Sequence, residues 1–255
     1  MKYRIIAFSI CYLVCHIGSV SAIETKAVSD PATGMEFVLV KGGCFNMGST
    51  ENASEKPVHE ICVNDFYLGK YEVTQAQWEK VMGSNPSSLK DCGPMCPVDN
   101  VSWNDAQVFI KKLNEKSNKT YRLPTEGELE YAAGNGGKNE PWPGTADKAK
   151  LGEYAWFAGN SNGVYHKVGE KKPNGLGLYD MSGNVWEWCQ DWYSETYYAE
   201  SPKNNPSGPA TGVFRAARGG SYDNDETSLR VANRDNLTPD SRNGNLGLRL
   251  LFVPN

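Results

Sequence analysis

The stretch Gly177–Trp192, GLYDMSGNVWEWCQDW, constrains this chain more than any other. It sets Glu187 between Trp186 and Trp188, with Trp192 close behind. A carboxylate among large aromatic side chains is costly to bury unless its charge is compensated. The fold must therefore bring a compensating group to Glu187, either a bound ion or an arginine of the core.

The rest of the chain sets limits on that fold. Its 255 residues suffice for one large domain or two small ones, and 26 Gly with 14 Pro imply many turns. The N-terminus, MKYRIIAFSICYLVCHIGSVSA, reads as a signal peptide: Lys2 and Arg4, an apolar run from Ile5 to about Val20, and a small-residue cleavage site ending at Ala22. The run is short for a membrane span and His16 interrupts it. A lipid anchor on Cys11 or Cys15 would need a small residue before it, where the chain has Ile10 and Val14. The expectation is an exported protein, periplasmic or secreted, with no stable membrane span in its mature form. Removal of residues 1–22 takes Lys2 and Arg4 from 26 basic residues, leaving 24 against 30 acidic ones, a net charge of −6. The basic residues are dispersed, so no nucleic-acid partner is expected.

Five cysteines remain after cleavage, and export makes disulfides the expected state. Cys92 and Cys96 enclose a short loop. Cys44 and Cys62 lie in the strand-like runs GGCFNMGS and HEICVNDFYLG, which adjacent antiparallel pairing would bring into disulfide range. Cys189 is left over as a small buried thiol among tryptophans.

Along the chain, residues 23–34 read as a loose segment, and 35–255 as one domain. MEFVLVKGGCFNMGS and HEICVNDFYLGKYEVT read as strands of one sheet. Three short helices follow, capped by Thr74, by Ser102 with Asp105, and by Thr125 with Glu128. In the second, Ala106, Phe109, Ile110 and Leu113 repeat at helical spacing. Beyond Gly134 the regular signals thin out into long loops, with FRAARGGSY and LGLRLLFV as closing strands. Long ordered loops usually carry function.

Seven ordered segments now resemble a known family, the formylglycine-generating enzymes or sulfatase-modifying factors: GGCFNMGS, KYEVTQAQW, PVDNVSWNDAQVFIKKLN, YRLPTEGELEYAA, NGLGLYDMSGNVWEWCQDW, RGGSY and RVANRDNLTPDSRNGNLGLRL. The resemblance runs from about Met35 to Phe252. It implies an α+β, C-type-lectin-like fold with little regular secondary structure. It also implies a structural calcium site made by the side chains of Asp180 and Glu187 and the carbonyls of Gly183 and Val185. Calcium favours such a mixture of carboxylate and carbonyl oxygens. A second calcium site would lie near YAWFAGNSNG, where Asn160 is a candidate in a region that departs from the family pattern.

The family's namesake enzymes hold copper on two cysteines that follow a GGS-type segment. Here RGGSY is followed by DNDETSLRVANRDNLTPD, and no cysteine occurs after Cys189. Asp223, Asn224, Asp225 and Glu226 are hard donors that do not replace thiolates for Cu(I). No copper is expected, and no catalytic residue is assigned. Iron enzymes of the superfamily use histidines, and only His59 and His166 remain in the mature chain. Two classes of function follow. The first is a ligand-binding or accessory module whose pocket is formed by Ser221, Tyr222, Asp223, Asn224, Arg234 and Asp240, with a protein or small molecule as partner. Arg234 either grips an anionic group or serves as a structural ion-pair partner. The Asn-rich tail also suits a diversified, displayed protein. The alternative is a periplasmic oxidoreductase of the same superfamily that uses non-haem iron or another centre and acts in protein or metabolite maturation.

Overall fold

The computed structural model describes residues 27–254. The expected signal peptide at 1–22 lies outside them. The strands are β1 (Ala27–Ser29), β2 (Glu36–Val40), β3 (Gly43–Met47), β4 (His59–Val63), β5 (Phe66–Gly69), β6 (Tyr121–Arg122), β7 (Trp186–Trp192), β8 (Arg215–Arg218), β9 (Asp235–Leu237), β10 (Leu246–Gly247) and β11 (Leu251–Phe252). The helices are α1 (Gln75–Met82), α2 (Trp103–Lys116) and α3 (Glu126–Ala133). A five-stranded antiparallel sheet has the order β1-β2-β5-β11-β6, a four-stranded sheet runs β10-β7-β8-β9, and β3 pairs with β4 alone. The mixture is α+β, with long irregular connections on which much of the chain's chemistry sits.

Local chemistry accounts for the helices. Thr74, Ser102 and Thr125 each accept a hydrogen bond from the backbone three residues on, and each closes a reciprocal capping box. Ala106, Phe109, Ile110 and Leu113 of α2 are buried against Phe37, Trp78 and Phe252 of one core cluster. A second cluster gathers β3, β4, β5 and α3 around Ile61, Leu68 and Leu129. Among the described residues, no helix is long and apolar enough to cross a membrane.

Two expectations are corrected. Of the segment expected to be loose, the described residues 27–34 are ordered: Ala27–Ser29 pairs with β2, and Asp30 then closes a tight turn. The Asp30 carboxylate accepts from Thr33 N and Oγ1 and from the Tyr121 hydroxyl, which ties the segment to β6. The two long strand-like runs do not form one sheet. Each divides, so that β2 and β5 join the five-stranded sheet while β3 and β4 form a separate ribbon. The corner is Gly42, where a side chain would lie 2.3 Å from the Val63 carbonyl oxygen.

The disulfides form as expected. Cys44 and Cys62 are directly opposed across the β3–β4 ribbon, and Cys92 joins Cys96. The first cross-link spans 18 residues. Closing a loop of that size restricts the unfolded chain by about 3 kcal/mol. The double variant Cys44→Ala/Cys62→Ala is therefore expected to lose about 2–4 kcal/mol in urea unfolding.

Candidate functional site

Strand β7 carries the Trp186–Glu187–Trp188 motif into the interior. Trp188 is fully buried and its indole nitrogen donates to the Val101 carbonyl at 3.0 Å. Glu187 is 3% exposed, and its partner is Arg249. Arg249 Nε lies 3.1 and 3.0 Å from the two carboxylate oxygens, and Nη2 lies 2.7 Å from Oε1. The remaining guanidinium contacts go to the carbonyls of Gly69 at 2.8 Å, Tyr179 at 2.8 Å and Asp180 at 3.3 Å. An arginine of the core thus compensates Glu187.

Arg249 is nevertheless outnumbered. Glu72 is buried beside it and accepts from Asn184 Nδ2 at 2.7 Å and Val185 N at 3.1 Å. Burial, then the neighbouring charges of Asp180 and Glu187, push the Glu72 carboxyl well above its ordinary value. Asp180 is also buried. Its Oδ2 accepts from Gly169 N at 2.7 Å, while its Oδ1 has no hydrogen-bond partner among the described residues. Burial raises its pKa to about 6. Three carboxyls and one guanidinium leave a surplus of acid and one orphaned oxygen, the features a hard cation would satisfy. Asp180 therefore fits a calcium donor. Glu187 fits in part, because both its oxygens already accept from Arg249.

Local backbone strain shapes this loop. Asp180, Gly183 and Asn184 all have positive φ, and a side chain at Gly183 would lie 2.1 Å from the Trp156 carbonyl. Asn160 turns its amide inward, accepting from Phe157 N at 2.9 Å and donating to the Ala155 carbonyl at 3.0 Å.

The six residues expected to line a pocket fall into three neighbourhoods. Ser221, Asp223 and Asn224 form one hydrogen-bonded cluster. Ser221 Oγ is 2.6 Å from Asp223 Oδ1 and 2.7 Å from Asn224 Oδ1. Asn245 joins them by donating to Asp223 at 3.1 and 3.2 Å. Asn245 lies in the quoted segment RVANRDNLTPDSRNGNLGLRL, but only the fold brings it back to Asp223. Tyr222 packs edge-on to Tyr165, and its carbonyl accepts from Ser161 Oγ.

Arg234 lies elsewhere. It makes a two-pronged pair with Glu126 at 2.8 and 2.6 Å, donates to the Ser54 carbonyl at 2.7 Å, and packs on Tyr193 and Tyr198. It is a structural ion-pair partner. Asp240 is exposed and accepts from Asn104 Nδ2 at 2.6 Å.

Beside the Arg234 pair, Arg218 bonds Glu130, and Asp191 accepts from Glu126 N at 3.1 Å. Burial and then the Glu126 charge push the Asp191 carboxyl well above its ordinary value. Cys189 is fully buried on β7, and burial followed by nearby carboxylates pushes its thiol up. The two histidines are engaged separately. His59 Nδ1 lies 3.0 Å from the Pro57 carbonyl and its ring packs on Tyr198. His166 Nε2 lies 2.8 Å from the Ser161 carbonyl and its ring stacks on Trp156. Among the described residues, no group of three or more His, Cys, Asp or Glu side chains is arranged to hold a metal ion.

This architecture is that of a sulfatase-modifying factor domain. Residues 23–253 match the sulfatase-modifying factor enzyme 1-like domain, and the chain belongs to that family. It is 32% identical to the chaperone protein LppX of Paenibacillus barcinonensis, over 94% of this chain and 96% of that one. It is 37% identical to the formylglycine-generating enzyme of Thermomonospora curvata, over 91% of this chain and 97% of that one. Among solved structures, Treponema denticola variable protein 1 superposes with a TM-score of 0.80 at 32% identity, covering 90% of this chain and 99% of that one. PvdO from Pseudomonas aeruginosa gives 0.79 at 25% identity, covering 90% and 98%.

Two outcomes are expected. Arg249→Met leaves the carboxyl cluster without its guanidinium and should cost about 3–5 kcal/mol in denaturant unfolding. Asp191→Asn should act in the opposite direction. A carboxyl whose folded pKa is raised loses stability as pH climbs from its unfolded value of about 3.9 toward the folded value. The variant should therefore melt above the parent at pH 7, and the gap should close near pH 4.

Proposed function

We propose that the chain is an exported ligand-binding or accessory member of its family, and that it does not itself oxidise cysteine to formylglycine. The carrying observation is the state of its thiols. Cys44, Cys62, Cys92 and Cys96 are held in two disulfides, and Cys189 is buried on a core strand. After Ser221 the chain offers Asp223 and Asn224, oxygen donors that suit hard ions and polar ligands and not Cu(I). The cluster of Ser221, Asp223, Asn224 and Asn245, with Tyr222 beside it, is the binding surface of this reading. A chaperone and a variable protein among the relatives agree with a binding role. The iron-dependent alternative draws no support from the two histidines, which are engaged in separate hydrogen bonds.

A structural calcium ion belongs to the same reading. Asp180 Oδ1 would supply the free oxygen, with the Gly183 and Val185 carbonyls and Glu187 completing the set. When bound, the ion offsets buried negative charge and fixes the loop before β7.

The test is elemental analysis of protein purified aerobically from the periplasm, combined with N-terminal sequencing. The expected result is cleavage after Ala22, about one calcium per chain, no stoichiometric copper or iron, and no oxygen consumption with cysteine-containing peptides. Chelation should lower the melting temperature by several degrees, since a ligand bound only to the folded state stabilises it. Stoichiometric redox metal with peptide-dependent oxygen uptake would overturn the binding reading. A chain without calcium would show that Arg249 alone serves the cluster.

A further inference from the structure

The β3–β4 ribbon leaves one edge without a partner strand. Cys62 directs its backbone away from β3, since its N–H donates to the Lys203 carbonyl at 2.7 Å and its carbonyl accepts from Asn205 N at 2.7 Å. In an antiparallel pair, the residue opposite such a position also turns its N–H and C=O outward, and so does the residue two places on. Cys44 stands opposite Cys62, and Asn46 opposite Glu60. The backbone groups of Cys44 and Asn46 therefore point to the free side of β3, where no hydrogen-bond partner meets them among the described residues. Both residues are exposed. Natural edges are usually blunted by lysine, proline or a bulge. The strand Gly-Cys-Phe-Asn-Met has neither lysine nor proline, and its pairing with β4 is regular.

Beside this edge lies a cleft of about 390 Å³, with Phe45 and Asn46 on one wall and residues 139–141 and 230–232 opposite. The volume is within the range of ligand sites. Its surface is mainly apolar, with Phe45 and Val231 in the wall and Val58 43% exposed at the rim. Its charge is one-sided. Arg230 is matched by Glu55 and Glu130 by Arg218, so those four groups cancel. Glu51 and Glu140 also line the cleft and take part in no ion pair among the described residues. Glu140 is held in place by Asn135 Nδ2 at 3.2 Å and Gly144 N at 3.1 Å.

We infer that the free edge of β3 and this cleft form a docking site for an extended segment of a partner polypeptide. The segment's backbone pairs with Cys44 and Asn46, and one of its basic side chains enters the cleft. Each half of the site specifies a different feature of the occupant. Unpaired strand groups select extended backbone, the mode in which a peptide is added to a sheet and alternate side chains fill pockets. An apolar cleft with two unmatched carboxylates selects an apolar stem ending in a cation, the shape of lysine or arginine. The site is separate from the Ser221 cluster and does not depend on it.

The experiment is amide NMR of the mature, disulfide-intact protein titrated with the peptide Ac-Val-Thr-Lys-Thr-Val-NH2. The expected result is saturable shifts at Cys44, Asn46 and Gly48, with slowed hydrogen exchange at the first two. Replacing the lysine by norleucine should weaken binding about fivefold, as should the surface variant Glu51→Lys, in line with an exposed charge pair. An N-methyl group on the peptide bond nitrogen that faces β3 should abolish the slowed exchange. Absence of saturation at millimolar peptide would overturn the proposal. So would equal binding of the norleucine or N-methyl peptides, or shifts centred on Asp223 and Asn245. Glu51 is exposed and makes no ion pair among the described residues, so its variant tests charge without endangering the fold.

Discussion

One guanidinium faces three buried carboxyls and three backbone carbonyls at the centre of this protein. Arg249 reaches Glu187 on β7, the Gly69 carbonyl at the end of β5, and the Tyr179 and Asp180 carbonyls of the loop that leads into β7. It lies next to β11, so a single side chain fastens the five-stranded sheet to the four-stranded one. Arginine suits the position because its planar fork distributes donors in several directions while keeping its charge under burial. Burial works against the guanidinium, but Glu187, Glu72 and Asp180 more than offset it and raise its pKa. Glu187, Glu72, Asp180 and Arg249 are all buried, which strengthens the pairing and makes an unmatched charge there costly.

The same device recurs beside Glu187, where Arg218 stands opposite it on β8. Glu126 with Arg234, Glu130 with Arg218 and Glu55 with Arg230 tie α3, the loop before β4 and the segment after β8 into one block. Replacing such pairs by apolar residues is often neutral for stability, whereas deleting one partner is severe. What the pairs provide here is geometry. A chain with strands of two to seven residues has few ladder hydrogen bonds to hold long loops, and directional ion pairs supply some of the missing register.

Features that depend on neighbours within a few residues were legible in the sequence. Three caps were legible at Thr74, Ser102 and Thr125, because a cap is a four-residue pattern. The 44–62 disulfide followed from two strand-like runs, and the motif segments identified the family and its α+β fold. Features set by distant pairing were not legible. Glu187 demanded a cation, but nothing local named Arg249, 62 residues later. Glu72 and Asn245 gave no signal either, since one meets Asn184 and the other meets Asp223 only through the fold. Arg234 sits close to the RGGSY motif in sequence, yet Glu126 draws it away. The ribbon of β3 and β4 separates from the main sheet because Gly42 permits a corner, a steric matter that hydrophobic alternation does not record.

These pairings also bear on how one scaffold can serve different chemistries. The charged groups that hold the block together are buried and matched inside it: Arg218 with Glu130, Arg234 with Glu126, and Arg249 with Glu187. Substituting them would cost folding, so they are not free to acquire new roles. Asp223 bonds Asn245 and Ser221, Asn224 bonds Ser221, and Glu51 has no ion-pair partner among the described residues. Changes there alter recognition at little cost to the core. A change among the polar side chains after Ser221 is of that kind. It leaves Glu187, Arg249 and the left-handed turn at Gly183 untouched, so the fold can persist while the chemistry at its surface is replaced.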